Sequence, residues 1–416
     1  MTGIFIFISL TIFGAGYYIV WPSRFNVVTH LTVGAVFISS FVPAIILEVY
    51  KNYPDSIVTL YVKILVTGAI CYLMGILLGF NRKVKRTKLS FDVLSTEDYE
   101  KRAIQLTKFL LITGIICLAL SYAGMGFVPM FASDPISAKF FRGAYQEPYL
   151  RVASLFRASF YILSTIIPIS SIIWYNKRIP FFLHATLVAI GLMFLSLSRS
   201  PAFTGLVMAI ALVLSFKSKF HFKILLGVIV SIYLFSSIFY YLIGVRQFEN
   251  IDSKSENGYW QVIGESAPDI NDQLQFLDMF TKHPKWTYGR TMYGGLIPGH
   301  YEWNPTVYTL NVIAPDMNIN EIASGGLRLP TPLWGYVSFQ WPGVIMFCLI
   351  SGFLSGFFLK YTKFWLTEHN SMVIKSVVVV LFVSVFITII NFFTLSIFSI
   401  PPMLVLLFYM YRFKIS

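Results

Sequence analysis

The sequence predicts an all-α, polytopic membrane protein of about eleven transmembrane helices, and three observations predict it. Hydrophobic residues make up 56% of its 416 positions and charged residues 12%, against about 25% charged in a soluble domain. Mean hydropathy is +0.70. So few charges cannot cover a polar surface, which excludes both an ordinary soluble protein and a disordered chain. Apolar runs of about 20 residues, enough to cross a bilayer as a helix, recur along the chain. Basic residues gather in alternate connections between those runs, as the positive-inside rule requires.

The runs fall at 3–20, 30–50, 58–80, 107–126, 158–175, 180–197, 201–216, 224–243, 332–359 and 373–411. The last is too long for one helix. Pro401-Pro402 and the polar stretch from Asn391 to Ser399 divide it in two. Residues 1–243 thus hold helices one to eight, 244–331 form one large external loop with short helices, and 332–416 hold helices nine to eleven. The first run lacks a basic leader and a small-residue cleavage site, so it is expected to be a retained helix.

The cluster Arg82, Lys83, Lys85, Arg86 and Lys88 is expected on the cytoplasmic side. Alternation then places Arg24, Lys177, Arg178, Lys217, Lys219, Lys223, Lys360, Lys363, Lys375, Arg412 and Lys414 there too. The N-terminus lies outside and the C-terminus inside. Topology therefore accounts for most of the net charge of +13, with no need of nucleic acid as a partner. Cys71, Cys117 and Cys348 all fall in apolar runs, where free cysteines behave as small apolar residues.

The loop 244–331 carries ten of the 19 acidic residues but only six basic ones. Its many aromatics (Trp260, Phe276, Trp286, Tyr293, Trp303 and Tyr308 among them) predict an ordered structure. Asp269 to Phe280 reads as an amphipathic helix. Ile270, Leu274, Leu277 and Phe280 share one face, and Asp269 caps it. The helix either roofs a cavity at the membrane surface or simply packs the loop. A second external segment, 127–157, holds Lys139, Arg142, Arg151 and Arg157.

Arg142, Arg151, Arg199, Arg246, Arg290 and Arg328 lie outside, against the topological bias, and Arg157 sits at a helix start. Charges at membrane depth usually face a cavity and have a task. Guanidinium binds phosphate through a rigid, always-charged fork, so these arginines point to a lipid diphosphate at the membrane–water boundary. No GxxxxGK[ST], no HExxH and no His/Cys metal spacing occurs, and no DxD lies in an external loop. That argues against a metal-dependent, Asp-rich membrane glycosyltransferase. Gly352-x-x-x-Gly356 is expected to serve helix packing.

Four features resemble the bacterial O-antigen and oligosaccharide repeat-unit polymerases of the Wzy type, including the enterobacterial common antigen polymerases. They are Gly124-Met-Gly-Phe-Val-Pro-Met-Phe131 followed by Arg142, and the Ser198-Arg199-Ser200 turn ending the sixth span. Arg246 leaving the eighth span comes next, then the re-entry segment from Leu329 to Gly343. Ser200-Pro201 departs from the Gly or Ala that often follows the family's arginine. The resemblance covers about 120–350, and the first three spans match by hydropathy alone.

The resemblance implies a metal-independent, hexosyltransferase-type membrane enzyme of the GT-C architecture in the bacterial cytoplasmic (inner) membrane. Its active face would be periplasmic. A growing glycan would leave undecaprenyl diphosphate for a new undecaprenyl-diphosphate-linked repeat unit. No cofactor is implied. A chain-length regulator and the membrane lipids are the expected partners.

Leaving-group stabilisation is assigned to Arg199 and Arg246 on motif position and to Arg290 on sidedness. Arg142, Arg151, Arg157 and Arg328 are assigned to substrate binding. Tyr288, Tyr293, Trp303 and Trp334 either stack on sugars or pack the loop, and Tyr293 and Trp303 are the pair assigned to substrate. His300 is the first choice as general base, because an unperturbed imidazole titrates near about 6.5; Glu249 is its rival, and His283 ranks lower. Two other readings stay open: an O-antigen ligase that hands the glycan to lipid A core, and a transporter or flippase of lipid-linked oligosaccharides.

Overall fold

A computed structural model describes residues 1–26, 29, 40–82, 97–197, 208–214, 227, 270–297, 300–315, 326–368, 371–373, 375–377, 379–380 and 391–394. The architecture is all-helical. Eight helices organise the described residues: α1 (Thr2–Ala15), α2 (Asp55–Asn81), α3 (Glu97–Met125), α4 (Gln146–Lys177), α5 (Pro180–Leu195), α6 (Ile270–Lys282), α7 (Pro305–Ile313) and α8 (Thr331–Glu368). Among the described residues, 4 helices are long and apolar enough to cross a membrane, and these correspond to α2, α3, α4 and α8. Outward-facing residues such as Ile70, Met74, Leu78, Phe109, Ile116, Leu120 and Ile350 are exposed and apolar, as lipid contact requires. Of the predicted spans, residues 30–39, 201–207, 215–216, most of 224–243 and most of 373–411 lie outside the described residues.

Two helices outrun their predicted spans. α3 begins at Glu97 and α4 at Gln146, each well before its apolar run. Hydropathy falls off where a helix leaves the apolar layer, but the backbone hydrogen bonds do not stop there. The first turns of α4 are polar and carry an Arg151–Glu147 ion pair one turn apart, with both side chains exposed. Pro180 sits in the first turn of α5, where its missing N–H costs nothing.

α2 and α8 pack backbone against backbone. A Cβ on Gly352 would run into the Tyr72 carbonyl, and one on Gly356 into that of Ile76. From the other side, Gly75 faces the Leu349 carbonyl and Gly79 that of Phe353. The expected packing role of the GxxxG pair thus holds, and α2 supplies its own glycines to match. The pairing runs in step: Gly68 meets Cys348, Tyr72 meets Gly352 and Ile76 meets Gly356. The two helices are therefore parallel. Three hydroxyls close the seam. Tyr17 and Tyr72 bond each other, and Tyr72 Oη lies 3.0 Å from Ser355 Oγ, which donates to the Ser351 carbonyl at 2.7 Å. Buried polar groups need such partners.

The predicted span 332–359 is not one helix. Phe339 and Gln340 leave the helical region, and Gln340 has φ 55. Gly335 and Gly343 lie so close that a Cβ on either would overlap the other's backbone. Residues eight apart on a straight helix are about 12 Å apart, so the chain folds back acutely here. Thr331–Ser338 forms a short arm, and the membrane-crossing arm begins at Trp341. An all-apolar run conceals this, because hydropathy registers composition and not backbone direction.

Several basic side chains gather at one end of the long helices. Lys360 Nζ donates to the Arg82 carbonyl at 2.6 Å, and Lys177 pairs with Glu100 at 2.7 Å. Arg24 and Lys375 both lie over the Phe25 ring. All except Glu100 are residues expected inside, and all gather at one end of α2, α3 and α8. At the opposite end Tyr53 Oη donates to Asn271 Oδ1 at 2.7 Å, and Tyr61 bonds Gln273. Two apolar cores result. One joins α3, α4 and α5 through residues such as Leu118, Leu163, Ile166 and Ala189. The other joins α6 and α7 to α1, the first half of α2 and the start of α8 through Ile6, Ile64, Leu274, Phe280, Tyr308 and Phe347.

Gly352→Ala is expected to lower thermal stability in detergent by about 1–3 kcal/mol, the usual cost of overpacking. Among the described residues, nothing lies within 4 Å of a Cβ on Gly191 of α5, so Gly191→Ala should be neutral or stabilising by up to about 1 kcal/mol. Equal melting shifts for the two variants would contradict the packing described.

Candidate functional site

α6 supplies the platform. It buries Ile270, Leu274, Phe276, Leu277 and Phe280 against α7 and the start of α2, so it packs within the protein rather than lying on lipid. Asp269, its expected cap, is outside the described residues. Asn304 caps α7 by accepting from Thr306 N–H at 3.1 Å. Gln273 Nε2 donates to the Arg328 carbonyl at 3.1 Å, which ties α6 to the start of the short arm.

Trp303 is the centre of one cluster. It is buried and stacks on Tyr308 with centroids 6.1 Å apart. The Arg290 guanidinium lies 4.7 Å from its ring centre and Lys285 Nζ 5.2 Å. Such cation–π contacts contribute about 0.5–2 kcal/mol each. Trp303 therefore holds cations in place, and its ring is already covered. Gly294 abuts the Trp303 backbone so closely that a Cβ has no room. Trp303 N–H bonds the His300 carbonyl at 3.0 Å, and the exposed His300 ring meets Tyr293 edge-on at 5.6 Å. The structure thus brings Arg290, Tyr293, His300 and Trp303 together. Arg290, Tyr293 and His300 reach solvent. Lys285 and Glu302 form a loose, exposed pair at 3.8 Å.

Arg142 and Arg157 belong to a second cluster on the other core. Phe141 stacks on Tyr149 at 3.7 Å, Arg157 Nε donates to Tyr149 Oη at 2.6 Å, and the Arg142 guanidinium lies 5.6 Å from the Phe140 ring. Burial lowers the pKa of the half-buried Arg142. Arg151 is on the solvent side, paired with Glu147. Arg328 is exposed beside α6, close enough to Asp272 to hold its charge partly in check. Arg199, Arg246 and Glu249 lie outside the described residues.

The short arm of α8 starts deep. Gly68 meets both Pro332 and Cys348. It lies about 20 Å along α2 from Asp55, near the middle of a helix about 40 Å long. The loop therefore descends to Pro330-Thr331-Pro332 before the arm rises to Phe339. Irregular backbone at such depth is tolerated only inside protein or beside water, and each proline removes one N–H that would need a partner. Thr287 fastens the arm. Its N–H donates to the Val337 carbonyl at 3.0 Å and its hydroxyl meets Ser338 Oγ at 2.7 Å. Neither Thr287 nor Ser338 stands out in sequence. Among the described residues, no group of three or more His, Cys, Asp or Glu side chains converges as metal ligands would.

Comparison with known proteins finds no matching family model, no matching curated protein and no matching solved structure.

Asp272 was also not anticipated from sequence. Burial on α6 raises its pKa, and the Arg328 charge offsets this in part. The folded carboxyl thus holds its proton more tightly than the unfolded chain does, where Asp titrates near about 3.9. Ionising it costs stability at neutral pH, and that cost vanishes as pH falls through the folded value to below the unfolded one. Asp272→Asn is expected to raise the melting temperature at neutral pH, with the gain shrinking on acidification. An Asn variant that melts lower at neutral pH would refute this assignment.

Proposed function

We propose that the protein is a multi-pass glycosyltransferase of the repeat-unit polymerase type in the bacterial cytoplasmic membrane, acting on undecaprenyl-diphosphate-linked glycans at its outer face. The full fold in this reading has about eleven spans in a GT-C arrangement. One observation carries the proposal: fixed cations on Trp303, with His300 beside them, stand next to a short arm whose start lies against the middle of α2. An enzyme joining lipid-anchored, water-soluble glycans needs such a meeting of a polar cluster with apolar depth. The motif resemblance around Arg142, Arg199, Arg246 and Leu329–Gly343 supports the same class.

The chemistry follows from charge. An acceptor hydroxyl attacks the anomeric carbon, and the new carbon–oxygen bond forms as the bond to the diphosphate breaks. The leaving electron pair stays on undecaprenyl diphosphate, whose growing negative charge calls for fixed cations. Arg290 takes this role, with Arg199 and Arg246 as its partners from the motif positions. The proton lost by the hydroxyl goes to His300. Arg290 is held by its stack on Trp303, so it need not be ordered at the moment of reaction. Arg142 and Arg157 bind phosphate or headgroup from the other core, and Arg328 guides the chain at the mouth of the arm.

Complementation of a polymer-deficient strain of the host tests the roles. Arg199→Ala, Arg246→Ala and Arg290→Ala, at normal expression, should each reduce polymer by about 100-fold or more, as loss of a transition-state donor does. Arg290→Lys keeps the charge but loses the fork and should fall between. His300→Ala should cost about 100-fold or more, and full polymer from it would remove His300 as the base.

A further inference from the structure

A third irregular segment reaches the depth of the short arm. Phe392–Thr394 forms a single tight turn of helix, closed by Thr394 N–H to the Asn391 carbonyl at 2.9 Å. It lies in the predicted break of the last apolar run. The Phe392 and Phe393 rings pack on Phe347 at 5.3 and 5.7 Å. Phe347 adjoins Cys348, which meets Gly68, and lies about 9 Å below the start of the crossing arm at Trp341. The turn Thr291–Gly294, directly after Arg290, packs on this same break. The Thr291 hydroxyl is fully buried there and, among the described residues, makes no hydrogen bond. Asn391 and Thr394, by contrast, are half-buried.

Three segments from distant parts of the chain therefore come together here: Thr291–Gly294 packs on Asn391–Thr394, whose Phe392 and Phe393 rings reach Phe347, one residue from the Cys348 that shares Gly68 with Pro332. Their amide, hydroxyl and carbonyl groups lie where lipid offers no hydrogen bonds. Non-helical backbone persists at that depth only when enclosed by protein or beside water. Asn391 and Thr394 are open enough for the second. Beside the same level, Ile345 and Met346 of α8 are exposed and apolar, so the polar face and the lipid face are distinct.

We propose that Asn391–Thr394 is the floor of a water-filled recess sunk into the outer half of the membrane layer. Its ligand is the hydroxyl-rich, uncharged end of a glycan. The floor holds amide and hydroxyl groups, which suit sugar hydroxyls, and the cations stand above it at Arg290 and Lys285. The glycan as ligand rests on the function proposed above. The recess itself does not.

Cysteine accessibility separates the two. In a background with Cys71, Cys117 and Cys348 replaced by alanine, single variants Asn391→Cys, Thr394→Cys, Met346→Cys and Glu302→Cys are treated with a membrane-impermeant methanethiosulfonate reagent from the outer face. Asn391→Cys and Thr394→Cys should react within about tenfold of the rate of the exposed Glu302→Cys, and Met346→Cys should stay unmodified. Asn391→Cys as inert as Met346→Cys would overturn the recess, and equal reaction of both would overturn its depth. Lipid-linked oligosaccharide extracted from cells lacking the protein should slow labelling at Asn391→Cys at least fivefold and leave Glu302→Cys unchanged. Labelling without that protection would refute the glycan as ligand. Folding of each variant is checked by its melting temperature. Absence of glycan transfer by the cysteine-free parent, with labelling of Asn391→Cys intact, would count against the proposed function and not against the recess.

Discussion

Everything at the end that carries α6 and α7 depends on the backbone contact between α2 and α8. Glycines on both helices bring carbonyls and Cα atoms into direct contact, closer than any side chain permits. Apolar surface gives helices no reason to associate within lipid, so close packing and hydrogen bonds must do it. The Tyr17–Tyr72–Ser355 hydroxyls supply the second of these. With α2 and α8 locked and parallel, Gly68 stands at a fixed level. Pro332 and Cys348 are set against it, and the fold-back at Phe339-Gln340 follows from the need to return from Pro332 to the top of the crossing arm.

The same constraint explains the choice of residues at the fold-back. Gly335 and Gly343 are the two positions where the arms touch, so neither tolerates a side chain. Prolines start the arm where unpaired N–H groups would be most costly. Thr287 and Ser338 bond across the gap, which carries the position of the arm into the loop that bears Arg290. The cation cluster is thus placed by a chain of contacts from Gly68 through Val337 and Thr287, over a distance that sequence separation does not reveal.

Much of this was legible in the sequence, and the gaps have physical causes. Apolar runs marked the long helices because each must bury or lipid-expose a continuous surface. Basic residues marked the two ends because they cannot cross the apolar layer. The inward face of α6 followed from Ile270, Leu274, Leu277 and Phe280. Helix starts at Glu97 and Gln146 were missed because helices continue into water. The arm at Thr331–Ser338 was missed because Leu333, Val337 and Val344 read as one run, and only Pro332, Gly335 and Gly343 hint at the turn. Trp303, open in the sequence between sugar stacking and loop packing, is buried beneath Arg290. An aromatic beside cations looks the same in sequence whichever partner it serves. Asp272 and Thr287 carry no motif at all; their importance arises from burial.

The most direct test of the account is reconstitution. The purified protein in liposomes is supplied with undecaprenyl-diphosphate-linked repeat units accumulated by cells that lack it, and the lipid-bound glycans are sized by electrophoresis. The account predicts a ladder of longer glycans still attached to the carrier lipid, with free undecaprenyl diphosphate released for each unit added. Unchanged single units that are merely moved across the bilayer, or glycans found only on added lipid A core, would contradict it.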